Sequence, residues 1–192
     1  MSVSATRWSA RFMRLAAMGW LVLGHREAAL RVFDRMLERW PANAYALSSR
    51  SHLLATLQRR DEAIADAQRL VDLHPGRSAA DWFNLAFMLE EATRLDEAEV
   101  AFRRSVALDP KFDRAWYGLG LTLIRLQRYD EALPALKRNT ELQPMSPYGW
   151  YQLARVHMDR HEPEATRKII RHLKGFEPKV AAQLERETGL VA

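Results

Sequence analysis

Residues 113–144 read DRAWYGLGLTLIRLQRYDEALPALKRNTELQP, two helical patterns separated by a short turn. Trp116, Leu119, Gly120 and Leu123 fall at i, i+3, i+4 and i+7, the stripe of a helix that faces a core. Gln127-Arg128-Tyr129-Asp130 supplies the turn, and Asp130 stands near the start of the next helix, where its charge suits the dipole. The second helix presents Ala132, Leu136 and Leu142. Pro144 ends it, because proline lacks a donor and restricts the residue before it. The stretch is a helical hairpin that cannot bury its apolar face alone; stacking against similar units must supply the rest.

Similar units flank it on both sides. Pro41, Pro75, Pro110, Pro144 and Pro178 are separated by 34, 35, 34 and 34 residues. Trp82, Trp116 and Trp150 are 34 apart, and Ala29, Ala63, Ala98 and Ala132 each precede one of the prolines by 12. Three of these alanines complete the same tripeptide, Asp61-Glu62-Ala63, Asp96-Glu97-Ala98 and Asp130-Glu131-Ala132. Ala17, Ala86 and Ala154 stand where Gly120 does, keeping the side chain small where two helices press together. A period of 34 with this residue order resembles the tetratricopeptide repeat. The resemblance implies an all-α fold, a right-handed α-solenoid of about five helical hairpins. The chain then reads as a single domain over 1–192, with units at about 10–43, 44–77, 79–112, 113–146 and 147–180 and a short C-terminal cap at 181–192.

The third and fourth units match the pattern best. In the first, Met13 replaces the expected aromatic. The second has Arg50 where Leu is expected, and one extra residue in its link to the third. In the last, Ala165 is one place early and Thr166 takes the alanine position. From Lys179 to Leu190 the tail reads as a closing helix, with Val180 and Leu184 packing on the fifth unit and Gly189 as its stop.

Composition narrows the function classes. The chain contains no Cys, which excludes a disulfide framework, a thiolate metal site and a Cys nucleophile. The net charge of +5 invites a nucleic-acid reading, but most Arg alternate with Asp and Glu, as solvated helix faces do. The first 25 residues depart from that mixing. They hold no acid, while Arg7, Arg11 and Arg14 share one helical stripe. The apolar run from Leu15 to Leu23 resembles a secretory signal, yet no small-x-small cleavage site follows, and the repeat claims it as a buried helix. It is too short to span a bilayer, which needs about 20 apolar residues. A cytoplasmic protein is therefore the expectation.

In the tetratricopeptide family the first helix of each unit lines a concave face that receives a peptide or helix from another protein. Carried over position by position, the resemblance implies a peptide-binding face of Tyr45 and His52, then Phe83, Asn84, Phe87 and Glu90. Arg114, Tyr117 and Leu121 follow on the fourth unit, and Tyr148, Tyr151 and Arg155 on the fifth. Tyr and Phe give rigid contact area at low entropic cost. Some relatives clamp a C-terminal carboxylate with Lys, Asn and Arg from three units. Asn84 and Arg114 match two of those places, but Ser48, His52 and Gly118 do not, so the clamp is not expected. Gly118-Leu119-Gly120 lies within a helix and follows no strand, so it is no phosphate loop. His157 and His161, four apart, read as structural rather than metal ligands, and no acid–base or nucleophilic constellation appears.

The expectation is a non-catalytic interaction scaffold or adaptor for a protein or peptide segment, with no cofactor, no metal and no nucleic acid. Two alternatives remain from other classes. One is a membrane-surface assembly factor docking through the basic N-terminal helix; the other is a nucleic-acid-binding helical repeat protein, whose binding would collapse as salt rises.

Overall fold

The computed structural model describes residues 9–192, so Arg7 of the basic stripe lies outside the described residues. These residues form paired helices and, among the described residues, no strand. The helices are α1 Ala10–Val22, α2 Arg26–Arg39, α3 Ala44–Thr56, α4 Arg60–Leu73, α5 Ala79–Glu91, α6 Leu95–Leu108, α7 Asp113–Arg125, α8 Tyr129–Leu142, α9 Pro147–Asp159, α10 Pro163–Lys174 and α11 Pro178–Thr188. The all-α class of stacked helical hairpins is the one the chain adopts. No helix among the described residues is long and apolar enough to cross a membrane. The chain divides into two compact units, Met1–Met88 and Leu89–Ala192.

In the first unit the hairpins close on small residues. Ala17, Ala29, Ala46 and Ala63 are fully buried, and Phe33, Met36, Leu47 and Leu54 pack around them. Burying each such large side chain contributes about 1.5–3 kcal/mol. Ser51 holds the small position of α3, and its hydroxyl donates to the Ala63 carbonyl of α4 at 2.8 Å, so the polar group is satisfied inside the contact. Arg50, out of place in the repeat pattern, has a structural reason. Its Nε and Nη2 fork onto Asp66 of α4 at 2.6 and 2.7 Å, and Nη1 donates to Asp34 of α2 at 2.8 Å. The bonds to Asp66 hold the guanidinium pKa above its ordinary value. Asp66 is buried, so a Leu at position 50 would leave its charge uncompensated.

One expectation is overturned in α1. The apolar run from Leu15 to Leu23 is helical, but Ala17 is the one residue of α1 that is buried, while Leu15, Met18, Val22 and Leu23 face outward. Among described helices α2 is the main neighbour of α1, and it covers one side only.

Glycines set the helix spacing in the second unit. A Cβ on Gly120 would lie 2.6 Å from Leu136 Cδ2, and one on Gly118 would lie 2.5 Å from the Phe102 ring, so α7 is pressed against both α8 and α6. Thr166 is fully buried and donates to the Ala154 carbonyl at 3.1 Å, the mirror of the Ser51 arrangement. Buried Glu99 receives Arg103 Nε at 2.7 Å and also Arg128, and both arginines reach Glu131, each at 2.7 Å. In α11, Ala181 and Leu184 are fully buried while Val180 is partly so. Gly189 follows at φ 68°, donating to the Glu185 carbonyl at 2.9 Å.

Two details recur with the period. Trp82, Trp116 and Trp150 donate their indole N–H to the carbonyls of Pro75, Pro110 and Pro144 at 2.8, 3.0 and 2.9 Å, tying the start of each first helix to the link before it. Gly24, Gln58, Thr93, Gln127 and His161 all have φ between 59° and 77°. Each follows the cap of a first helix, and the residue after it donates back into that helix: His25 to Trp20, Arg59 to Leu54, Arg94 to Leu89, Arg128 to Leu123 and Glu162 to His157. This is a Schellman closure, which favours glycine at the left-handed position. Four of the five places carry a side chain, and Thr93 is β-branched, the least suited to that region.

Three substitutions test this packing. Thr93→Gly removes a left-handed penalty of about 1–2 kcal/mol and adds unfolded-state entropy of about 0.4–1 kcal/mol, so urea unfolding should show a net gain of about 0.5–1 kcal/mol. Gly120→Leu should lose about 1–3 kcal/mol through overpacking against Leu136. By contrast, Gly19→Ala, where a Cβ meets nothing within 4 Å, should gain about 0.5–1 kcal/mol of helix propensity in the same assay.

Candidate functional site

The residues expected to meet a partner sit on the first helices of the hairpins, and many of them also tie one such helix to the next. In the first unit the Arg14 guanidinium of α1 lies 4.1 Å from the Tyr45 ring centroid, and Tyr45 meets Phe33 edge-on at 6.2 Å. Tyr45 therefore rests on the apolar core with one side turned to Arg14. His52 is exposed on the same helix, and its carbonyl accepts the Thr56 hydroxyl at 2.8 Å. On α5, Phe83 and Phe87 stack at 6.4 Å with 22° between their planes; Phe87 is 47% exposed and Asn84 is exposed. The structure thus makes two aromatic clusters in this unit, Tyr45 with Phe33 and Arg14, and Phe83 with Phe87.

In the second unit Glu90 of α5 is held by Arg125 of α7 at 2.6 Å, and Arg125 also donates to the Glu90 carbonyl at 3.0 Å. Arg114 and Tyr117 of α7 and Tyr148 of α9 converge on a hollow of about 340 Å³, completed by Asp113, Asn139 and Gln143. Tyr117 is half-buried. That burial raises its hydroxyl pKa, opposed in part by a hydrogen bond with Gln152 of α9. Tyr148, by contrast, is 71% exposed, and the Arg114 guanidinium lies 5.3 Å from the Phe112 ring. Leu121 is partly buried and lies outside that lining.

Tyr151 and Arg155 make a second group. The Tyr151 hydroxyl donates to Glu187 Oε2 of α11 at 2.6 Å, and Gln183 donates to the other carboxylate oxygen at 2.7 Å. The bond with Tyr151 lowers the Glu187 pKa and raises that of Tyr151. The Arg155 guanidinium sits 5.9 Å from the Tyr151 ring. A carboxylate of α11 is thus already received by Tyr151.

The departures from the carboxylate-clamp pattern also gain a cause. The space a side chain would take at Gly118 is filled by the Phe102 ring, which is almost fully buried, so an Arg there has no room. His157 is buried and bonded to Glu162 at 2.6 Å, and this bond, ahead of the one from Arg160, holds the Glu162 carboxyl below its usual range. His161 occupies the left-handed turn position. Among the described residues no three His, Asp or Glu stand together as a metal site.

Sequence reasoning missed Asp113, Asn139, Gln143 and Glu187. Asn139 and Gln143 belong to α8 and its cap, outside a count confined to first helices. Glu187 carried no direct signal, since the period of 34 relates it to the buried Leu153; the same period relates Leu184 to Trp150 and gives α11 the place of a sixth first helix.

Solved structures similar to the chain share low identity with it. MamA matches with a TM-score of 0.80 at 16% identity, covering 95% of this chain and 96% of that one. MamA from Desulfovibrio magneticus RS-1 gives 0.75 at 19%, covering 94% and 97%. YrrB, described as a TPR protein with an unusual peptide-binding site, gives 0.79 at 18%, covering 92% and 89%. These likenesses speak to the fold. No curated protein sequence matches the chain. The Tetratricopeptide repeat family model matches residues 21–78 and 88–147, more than half of the chain, and the chain belongs to the tetratricopeptide repeat family.

Proposed function

We propose that this chain is a non-catalytic protein-interaction scaffold or adaptor that holds a peptide or helix of a partner protein against its first helices. The observation that carries the reading is the hollow beside α7 and α9. There an exposed Tyr148, a half-buried Tyr117 and Arg114 surround a space sized for one or two side chains. Large aromatic side chains and Arg around a partly desolvated recess are the groups that dominate peptide binding. The seating of α11, with Glu187 on Tyr151, supports a helix bearing a carboxylate as one acceptable form of ligand for the neighbouring pair of Tyr151 and Arg155. Tyr45, His52, Phe83, Asn84 and Phe87 extend the reading to the first unit, and Glu90 and Leu121 belong to it in the second. The peptide-binding site named for YrrB adds support by analogy of fold. A non-catalytic role accords with the displaced carboxyl groups Glu62, Glu97 and Glu131, each engaged with an Arg that braces a helix start.

Replacing Tyr117 and Tyr151 would remove both a contact surface and a hydrogen bond between helices, at about 1 kcal/mol per bond. Tyr148→Ala with Arg114→Ala separates binding from folding better, because both side chains are exposed. Affinity capture from lysate with wild type beside this variant, followed by titration calorimetry on the captured protein, tests the reading. The expected result is a protein retained by wild type and weakened by about 2 kcal/mol in the variant, with the melting temperature unchanged. Equal retention of every protein by both forms refutes it.

A further inference from the structure

The first hairpin carries an apolar surface that the described residues do not cover. Leu15 is 65% exposed, Val22 87% and Leu23 67%, with Met18 beside them at 46%. At about 100° per residue, Met18, Val22 and Leu15 fall on one side of α1. Round the helix from Leu23 the surface continues into a hollow of about 520 Å³, where Ala16 and Trp20 of α1 face Val32 of α2. Large exposed apolar side chains elsewhere among the described residues, such as Val100, Leu108 and Met145, occur singly along the chain. A contiguous patch of this kind marks an interaction surface.

Its charge is equally one-sided. No carboxylate occurs from residue 9 to residue 26, and exposed Arg11 lies between Met18 and Val22 on the helical wheel. Exposed Arg26, Arg31 and Arg35 of α2 line the hollows around Trp20, where Glu27 and Glu38 are the acids present. The remaining carboxylate of α2, Asp34, is engaged by Arg50.

A second copy of the chain is the competing occupant. Two such faces laid together would set cationic rims against one another, with no carboxylate on α1 to meet Arg11. An anionic bilayer satisfies both features, offering its acyl boundary to Leu15 and Val22 and its headgroup phosphates to the Arg. We propose that the outer face of the first hairpin docks this protein on an anionic membrane surface, with α1 lying along the interface. At 13 residues α1 can lie on such a surface and cannot cross it. The surface uses none of the residues assigned above to peptide binding, so either proposal can fail alone.

Flotation of the full chain with vesicles of phosphatidylcholine, with and without phosphatidylglycerol, tests it, beside light scattering of the free protein. The chain should float with the anionic vesicles and stay behind with the neutral ones. Leu15→Glu with Val22→Glu should lower the partition roughly tenfold or more, and Arg11→Gln about fivefold, with thermal unfolding unchanged because all three side chains are exposed. Absence of flotation with anionic vesicles overturns the proposal. So does flotation that neither variant weakens. A dimer in light scattering that the double variant converts to monomer, with no flotation, assigns the face to a second copy instead.

Discussion

The Ser51 hydroxyl reaches the Ala63 carbonyl, and the Thr166 hydroxyl reaches that of Ala154. Both pairs are twelve residues apart, and the same interval separates Ala17 from Ala29 and Gly120 from Ala132. Every one of these positions is buried. Small side chains let the two helices of a hairpin approach until backbone and side chain touch, and the other features follow from that approach. Helices so close must be joined by a short turn. A short antiparallel turn needs one residue in the left-handed region, which Gly24, Gln58, Thr93, Gln127 and His161 provide. Where a polar residue enters the contact it must spend its hydroxyl on a carbonyl across the seam, as Ser51 and Thr166 do from opposite sides.

Much of this was legible in the sequence, because the contact constrains side-chain size at a fixed interval. The alanines and prolines register the period directly, and helix pairing, turn positions and the core stripe of α7 follow from them. The left-handed turn residues were not legible, since four of the five are not glycine and nothing local marks Thr93 or Gln127 as strained. Arg50 looked like a defect in the pattern, for its partners Asp34 and Asp66 lie on two other helices and only the fold brings them together. The exposed side of α1 was misread for a related reason. Hydrophobicity reports which residues avoid water, and cannot say whether the covering surface belongs to the same chain.

The candidate site divides along the same line. Which residues face outward from a first helix follows from helical spacing, and Tyr148 and Arg114 are where that spacing puts them. What those residues touch depends on neighbouring helices. Tyr45 with Arg14, Arg125 with Glu90, Tyr117 with Gln152 and Tyr151 with Glu187 each join one first helix to the next. The residues proposed to meet a partner are therefore also braces between first helices, a dual role that a reading of single units could not detect.

That dual role has an energetic consequence. A ligand that takes over the Tyr151 hydroxyl must first displace Glu187, whose lowered pKa shows that its charged form is the one the site stabilises. Affinity there is the difference between two carboxylate contacts, so an acidic ligand gains little unless it adds contacts of its own. Tyr148 pays no such exchange, being 71% exposed. Within the second unit, contact at the recess of Arg114, Tyr117 and Tyr148 is consequently favoured over contact at Tyr151, although both sets of residues derive from the same helical positions.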